Sequence, residues 1–173
     1  MDSNRLLMND QFMEELYNKS LFSKKQSIEE INQRYFTELG NYVYRCAIIQ
    51  LNGLNGTMEA SFVEDFLSTL KKYIDQKNGE NERPVMSRIG YHQILLLLES
   101  AQEKMSSVNT VLEHILGEAL RMGSKYSGLK VAFSVGKPVR LDTNVMGLEE
   151  TLDSARTALN KRFTDGYGRI LLA

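Results

Sequence analysis

The run from Val85 to Leu98 limits what this chain can fold into more than any other stretch. Val85 to Ile89 and Gln93 to Leu98 both read as strands, with Gly90 and Tyr91 at the turn between them. Glycine readily takes the positive φ that a tight turn demands, so the segment is expected to be a β-hairpin. The second strand is almost wholly apolar, which suits a central strand covered on both faces. Its covering must come from elsewhere in the chain, and long helical patterns flank the hairpin on both sides. The hairpin tip is where chemistry is sought first.

In chain order, residues 1 to 40 read as a helical lead-in. Leu6, Leu7, Phe12, Met13, Leu16 and Tyr17 give a helical stripe from about Asn9 to Ser20. Ser27 with Glu30 three residues on forms a capping box for a second helix, with Gly40 as its natural stop. Tyr42 to Leu51 is β-prone and mostly apolar, broken by Asn52-Gly53 and Asn55-Gly56. A helix is expected from about Ser61 to Gln76, then a polar loop from Lys77 to Pro84, then the hairpin. A long helix follows from about Ser100 to Met122, then an alternating strand from Lys130 to Val135 and a loop through Gly136, Pro138 and Asp142 to Asn144. The last helix is expected over about Leu148 to Phe163, with Phe163 on its inner face, and the last strand from Arg169 to Leu172. From residue 42 the order is β-α-β-β-α-β-α-β. The first six elements make a split βαβ arrangement, so the expected class is α+β: a ferredoxin-like sheet with helices packed on it, preceded by the lead-in. The domain division is 1–40 and 41–173. The sequence stops inside or just after its last strand, and the native chain is expected to continue beyond Ala173.

A chain of 173 residues is long enough for a proper core. A net charge of −1 gives no global basic field for nucleic acid or acidic lipid. No run is long enough to span a bilayer and no secretory signal opens the chain. Cys46 is the single cysteine, which excludes an internal disulfide and fits a reducing compartment, so a cytoplasmic location is expected. Cys46, in an apolar strand, reads as a small buried hydrophobe. His92 and His114, the only histidines, lie on different elements with no Cys or Asp at ligand spacing, so no metal site is expected.

Certain residues also carry a family likeness. Arg88-Ile89-Gly90-Tyr91-His92-Gln93-Ile94 sits where diguanylate cyclases have Arg-x-Gly-Gly-Asp-Glu-Phe. Tyr44 to Asn52 looks like that family's first strand, and Phe133-Ser134-Val135-Gly136 like a later one. Ala155, Ala158, Leu159, Arg162, Phe163 and Gly166 look like its closing pattern, and Phe12 to Gly40 like the helical segment before the domain. The chain resembles the degenerate GGDEF-like domain of AraC-type two-component response regulators, which stands between a receiver and a helix-turn-helix DNA-binding end.

The resemblance implies the following for individual positions. The family's metal-binding aspartates fall on Gln50 and Asn52, and the Asp and Glu of its hairpin signature on His92 and Gln93. Its second glycine falls on Tyr91, its phosphate-contacting lysine on Phe163, and its inhibitory Arg-x-x-Asp on Asn81 to Pro84. Metal-assisted phosphoryl chemistry needs carboxylates at the metal-binding and hairpin positions, and none stands at Gln50, Asn52, His92 or Gln93. The implied reading is therefore no enzyme, no catalytic residue and no cofactor. It is a non-catalytic signalling module that dimerises, relays between receiver and DNA-binding domains, and touches neither nucleic acid nor membrane itself. The alternative is a nucleotide or small-molecule sensor whose ligand meets Gln50, Asn52, Gly53, His92 and Gln93 beside the degenerate signature of Gly90, Tyr91, His92, Gln93 and Ile94.

Overall fold

The apolar first strand becomes the centre of the molecule. The structure, a computed structural model, describes residues 2–52, 60–76, 82–90, 92–100, 105–123 and 130–173. The elements are α1 (Asp2–Tyr17), a short 3-10 turn (Ser20–Phe22), α2 (Ile28–Tyr35), β1 (Val43–Asn52), α3 (Ala60–Gln76), β2 (Glu82–Ile89), β3 (Gln93–Ser100), α4 (Met105–Gly123), β4 (Lys130–Val135), β5 (Val139–Arg140), α5 (Met146–Leu159), α6 (Arg162–Asp165) and β6 (Ile170–Leu172). The sheet order is β2-β3-β1-β4-β6, with the two-residue β5 paired to the start of β1. β1 lies antiparallel to both β3 and β4, and β6 joins β4 in parallel. The order of the first four strands is that of a ferredoxin-like sheet, in agreement with the expected α+β class.

Alternation along β1 divides two cores. Ala47, Ile49 and Leu51 face one way and join Ile94, Leu96, Leu98 and Phe133 under Phe66 and Leu70 of α3 and Ile115 and Ala119 of α4. Tyr44, Cys46 and Ile48 face the other way and join Leu95 and Leu97 under α5 and the lead-in. Phe12, Met13 and Leu16 of α1 and Ile31 and Tyr35 of α2 are all buried there. Phe12 meets Tyr35 edge-on at 5.7 Å, and the Tyr35 hydroxyl donates to Glu15 at 2.6 Å. Burial and that carboxylate push the Tyr35 phenol up to about 12.

Several local expectations hold. The Ser27 hydroxyl accepts from the Glu30 amide and the Glu30 carboxylate accepts from the Ser27 amide, closing the capping box. Gly90 takes φ +70. Among the described residues no helix is long and apolar enough to cross a membrane.

Other expectations need correction. α1 starts at Asp2, earlier than the stripe from Asn9 indicated. α2 stops at Tyr35 instead of running to Gly40, because the Asn32 side chain seizes the chain beyond it. Its amide donates to Leu39 O at 2.8 Å, and its carbonyl accepts from Leu39 N at 2.9 Å and the Thr37 hydroxyl at 2.7 Å. β2 begins at Glu82, so Pro84, expected in a loop, lies in an edge strand, where its missing N–H is tolerated. The hairpin pairs Ile89 with Gln93, so its loop holds three residues and not the two-residue turn of Gly90 and Tyr91. The segment expected to be a loop after Pro138 forms β5. α5 ends at Leu159, and Phe163 lies on α6 with 71% of its surface exposed, not on an inner face.

Candidate functional site

Strand register brings the signature residues together. Gln50 of β1 and Gln93 of β3 are direct cross-strand partners near the end of the sheet that carries the hairpin tip. Their side chains hydrogen-bond, the Gln93 amide donating to the Gln50 carbonyl oxygen. The Gln50 amide donates to the Asn52 side chain at 3.1 Å, and the Asn52 amide donates to the Tyr167 hydroxyl at 3.1 Å. At the other end the Tyr17 hydroxyl donates to the Gln93 carbonyl oxygen. Five side chains from α1, β3, β1 and the segment before β6 thus form one hydrogen-bonded line. An arginine or lysine stands over each terminal tyrosine. The Arg156 guanidinium lies 4.4 Å above the Tyr17 ring and also donates to the Tyr17 backbone carbonyl. The Lys130 ammonium lies 5.5 Å from the Tyr167 ring.

The other expected positions are placed differently. His92 is exposed at the loop, and its backbone carbonyl accepts from Leu51 N at 2.8 Å. Ile94 is buried on the opposite face from Gln93. Gly90 is exposed, and a Cβ there would meet nothing within 4 Å. Gly53 and Tyr91 lie outside the described residues. His114 is exposed on α4. A groove of about 670 Å³ runs around the edge strand β2 and includes Tyr17, Arg88 and Gly90. Gln50, Asn52 and Gln93 do not line it, so the amides and the groove meet only at Tyr17.

Tyr17, Tyr167 and Arg156 did not emerge from the sequence as site residues. Tyr17 looked like one more position of an apolar helical stripe. Tyr167 had a faint signal: an aromatic residue between Gly166 and Gly168, both of which take positive φ.

Each amide in the line offers both donors and acceptors. The line can therefore meet a polar, uncharged edge such as a nucleobase or a hydroxyl. Among the described residues no three His, Cys, Asp or Glu side chains gather as a metal site would need. Cys46 is buried beneath α5, and burial pushes its thiol up to about 12 against a smaller opposing pull from Arg156. Only the thiolate reacts, so Cys46 is expected to react with a thiol reagent at pH 8 only as fast as the chain opens. Labelling that stays slow in buffer and becomes immediate in denaturant checks this.

No family model matches the sequence, and no curated protein does. Solved structures do match in fold. An EAL/GGDEF domain protein from M. capsulatus aligns with a TM-score of 0.54 at 17% identity, over 77% of this chain and 85% of that one. The diguanylate cyclase SiaD of Pseudomonas aeruginosa, solved with its activator SiaC, aligns with a TM-score of 0.58 at 18% identity. The fold is GGDEF-like. This chain matches over 95% of its own length in that alignment and spans 58% of the SiaD chain. An active GGEEF domain of a diguanylate cyclase from Vibrio cholerae aligns with a TM-score of 0.52 at 14% identity, over 75% of this chain and 82% of that one.

These neighbours overturn one expectation. The neutral side chains at Gln50, Asn52, His92 and Gln93 led to the conclusion that the chain is no enzyme. The GGDEF-like fold is shared with diguanylate cyclases, one of them an active GGEEF domain, so the expectation of no enzyme does not stand. The physical fault lay in reasoning from a few aligned carboxylates. Neutral side chains at Gln50, Asn52, His92 and Gln93 speak against a Mg²⁺ ion held by those four residues, but they say nothing of chemistry carried by other residues of the fold.

Proposed function

We propose that the chain is a GGDEF-like signalling module of a two-component response regulator. In this reading it is cytoplasmic, acts as a homodimer, and stands between a receiver and an AraC-type DNA-binding domain of the same parent chain. The DNA contact belongs to the helix-turn-helix end. The lead-in through residue 40 and the domain from residue 41 are its two parts. The ordered residue likeness from Phe12 to Gly166 supports that setting.

One observation carries the mechanism: Tyr17, the last residue of α1, hydrogen-bonds Gln93 of the hairpin signature. Arg156 of α5 holds the same tyrosine from above. Lys19, just beyond it, pairs with Asp153 of α5 at 2.7 Å. A lead-in helix displaced by an upstream receiver moves Tyr17 and must remake the contact to the sheet. One such hydrogen bond is worth about 1 kcal/mol, enough to shift a two-state equilibrium about fivefold.

Tyr17→Phe in the parent regulator is expected to change the ratio of stimulated to basal reporter transcription by about fivefold at unchanged protein level. Light scattering of residues 1–173 is expected to give the mass of two chains. A monomer at every concentration, together with an unaltered ratio in Tyr17→Phe, sinks this reading.

A second reading has its own support: the Gln50–Asn52–Gln93 amides lie between two tyrosines that carry Arg156 and Lys130. A nucleotide or small polar ligand fits such a line, its neutral edge on the amides and its anionic part toward a cation. A thermal-shift screen of nucleotides and metabolites tests it, with Gln50→Leu and Gln93→Leu expected to abolish any shift. A screen with no stabilising compound counts against it.

A further inference from the structure

The edge strand β2 carries an open surface that neither reading of the amide line uses. Strand register fixes which backbone groups it presents. Leu51 N donates to His92 O at 2.8 Å, one step beyond the Gln50–Gln93 pair. Successive antiparallel pairs alternate between exchanging both bonds and exchanging none. Ile94, Leu96 and Leu98 therefore bond to β1, and Gln93, Leu95 and Leu97 turn to β2. Ile89, Ser87 and Val85 bond back to them, and Met86 directs its N–H and C=O away from the sheet. Pro84 falls on the same outward side, where its missing N–H leaves no gap in the ladder. Among the described residues no strand lies beyond β2.

The groove of about 670 Å³ lies along this edge, with α1 as one wall and α3 as the other. α1 runs beside β2: the Ser87 hydroxyl donates to Asp10 at 3.4 Å, and Tyr17 reaches Gln93, the partner of Ile89. The two walls differ in charge. Asp10 and Glu14 stand exposed on α1, while α3 presents the exposed Lys71 beside the half-buried Leu67. Glu64 of α3 pairs with Arg88 at 2.6 Å and so adds little net charge to its wall. The spacing on α1 also suits a strand. Residues four apart on a helix rise about 6 Å, and alternate residues of a strand about 6.8 Å. Two side chains on one face of an added strand thus match Asp10 and Glu14.

We propose that β2 binds an extended peptide segment of another protein by strand addition, and that the segment carries a basic, an acidic and a basic residue in succession. Its backbone bonds to the N–H and C=O of Met86. Its acidic residue lies opposite Met86, whose side chain packs on the α3 face, and points toward Lys71. Its two basic residues point to the other face, toward Asp10 and Glu14. A second copy of β2 fits less well, because antiparallel pairing of two copies sets their acidic α1 walls on the same face.

The test is amide NMR of the full chain titrated with the end-capped peptide Thr-Val-Lys-Glu-Lys-Val-Thr and with its charge-reversed form, Thr-Val-Glu-Lys-Glu-Val-Thr. Saturable shifts centred on the Met86 amide, with slowed exchange of that amide, are expected for the first peptide at about tenfold higher affinity than for the second. Replacing both exposed acids, Asp10→Lys with Glu14→Lys, is expected to reverse that preference. Met86→Pro removes the outward donor and no ladder bond, and is expected to abolish binding. The doubly substituted chain decides the matter if the proline variant does not fold. No saturation, equal affinity for the two peptides, an unaltered preference in the doubly substituted chain, or a Met86 amide already protected by a second copy without peptide overturns the proposal.

Discussion

Replacing Gly136 by alanine is expected to destabilise the fold by at least about 3 kcal/mol, among the larger effects a single methyl group can have. Gly136 follows β4, where its amide donates to Cys46 O at 2.8 Å and its carbonyl accepts from Arg45 Nε at 2.9 Å. A Cβ at this position would stand 2.1 Å from the backbone oxygen of Thr151 and 2.9 Å from the hydroxyl oxygens of Thr151 and Ser154. The first contact is with backbone and cannot be relieved by a rotamer. α5 would have to lift away from the sheet. That movement breaks the bond from Cys46 N to Thr151 Oγ1 at 2.9 Å and the bond from Lys137 N to Ser154 Oγ at 2.7 Å. It also unseats Leu148, Leu152 and Ala155, which are fully buried against β1. Gly117→Ala is the control. Gly117 is exposed on α4 with nothing within 4 Å of its would-be Cβ, and alanine there is expected to stabilise by up to about 1 kcal/mol. Denaturant midpoints moving in opposite directions for the two substitutions establish the close approach. Equal midpoints dispose of it.

The hairpin and the capping box were legible because both are local. Alternation and an apolar run declare a central strand within a few residues, and Ser27 meets Glu30 three positions away. The end of α2 was not legible, because the Asn32 amide competes with the helix by binding backbone at Leu39. β5 exists only because Val43 and Tyr44 offer pairing partners to Arg140 and Val139, a tertiary gain that two residues cannot announce. In the candidate site, Gln50, Asn52 and Gln93 could be brought together by aligning strands. The tyrosine that completes them could not, since Tyr17 and Gln93 are 76 positions apart. Phe163 misled because helical spacing continued through a break after Leu159. The exclusion of enzymatic activity failed for a different reason: it took the chemistry of four side chains for the chemistry of a fold.

Deleting residues 1 to 40 is expected to leave a chain that does not unfold cooperatively as a soluble monomer. Phe12, Met13, Leu16, Leu21, Ile31 and Tyr35 are each 3% exposed or less and lie in one cluster with Tyr44, Cys46, Ile48, Leu95 and Leu97. Burying six such side chains is worth roughly 10 kcal/mol, much of it offset by the entropy of ordering the segment that carries them. The larger consequence falls on what remains, because one face of the central strands loses its cover. Folded monomers seldom expose an apolar patch of that extent. Dye binding to exposed apolar surface, loss of a sharp thermal transition, or association through the bared sheet is therefore expected. A truncated chain with a native-like cooperative melt would mean that the lead-in is an accessory. Leu16→Ala poses the same question without cutting the chain. Leu16 is fully buried, so the substitution is expected to cost about 3 kcal/mol, against less than about 0.5 kcal/mol for Glu14→Ala on the exposed side of the same helix. The proposed relay needs this difference. A helix that reports an upstream signal through Tyr17 must share free energy with the sheet, and a lead-in whose core positions can be emptied at no cost has nothing to transmit.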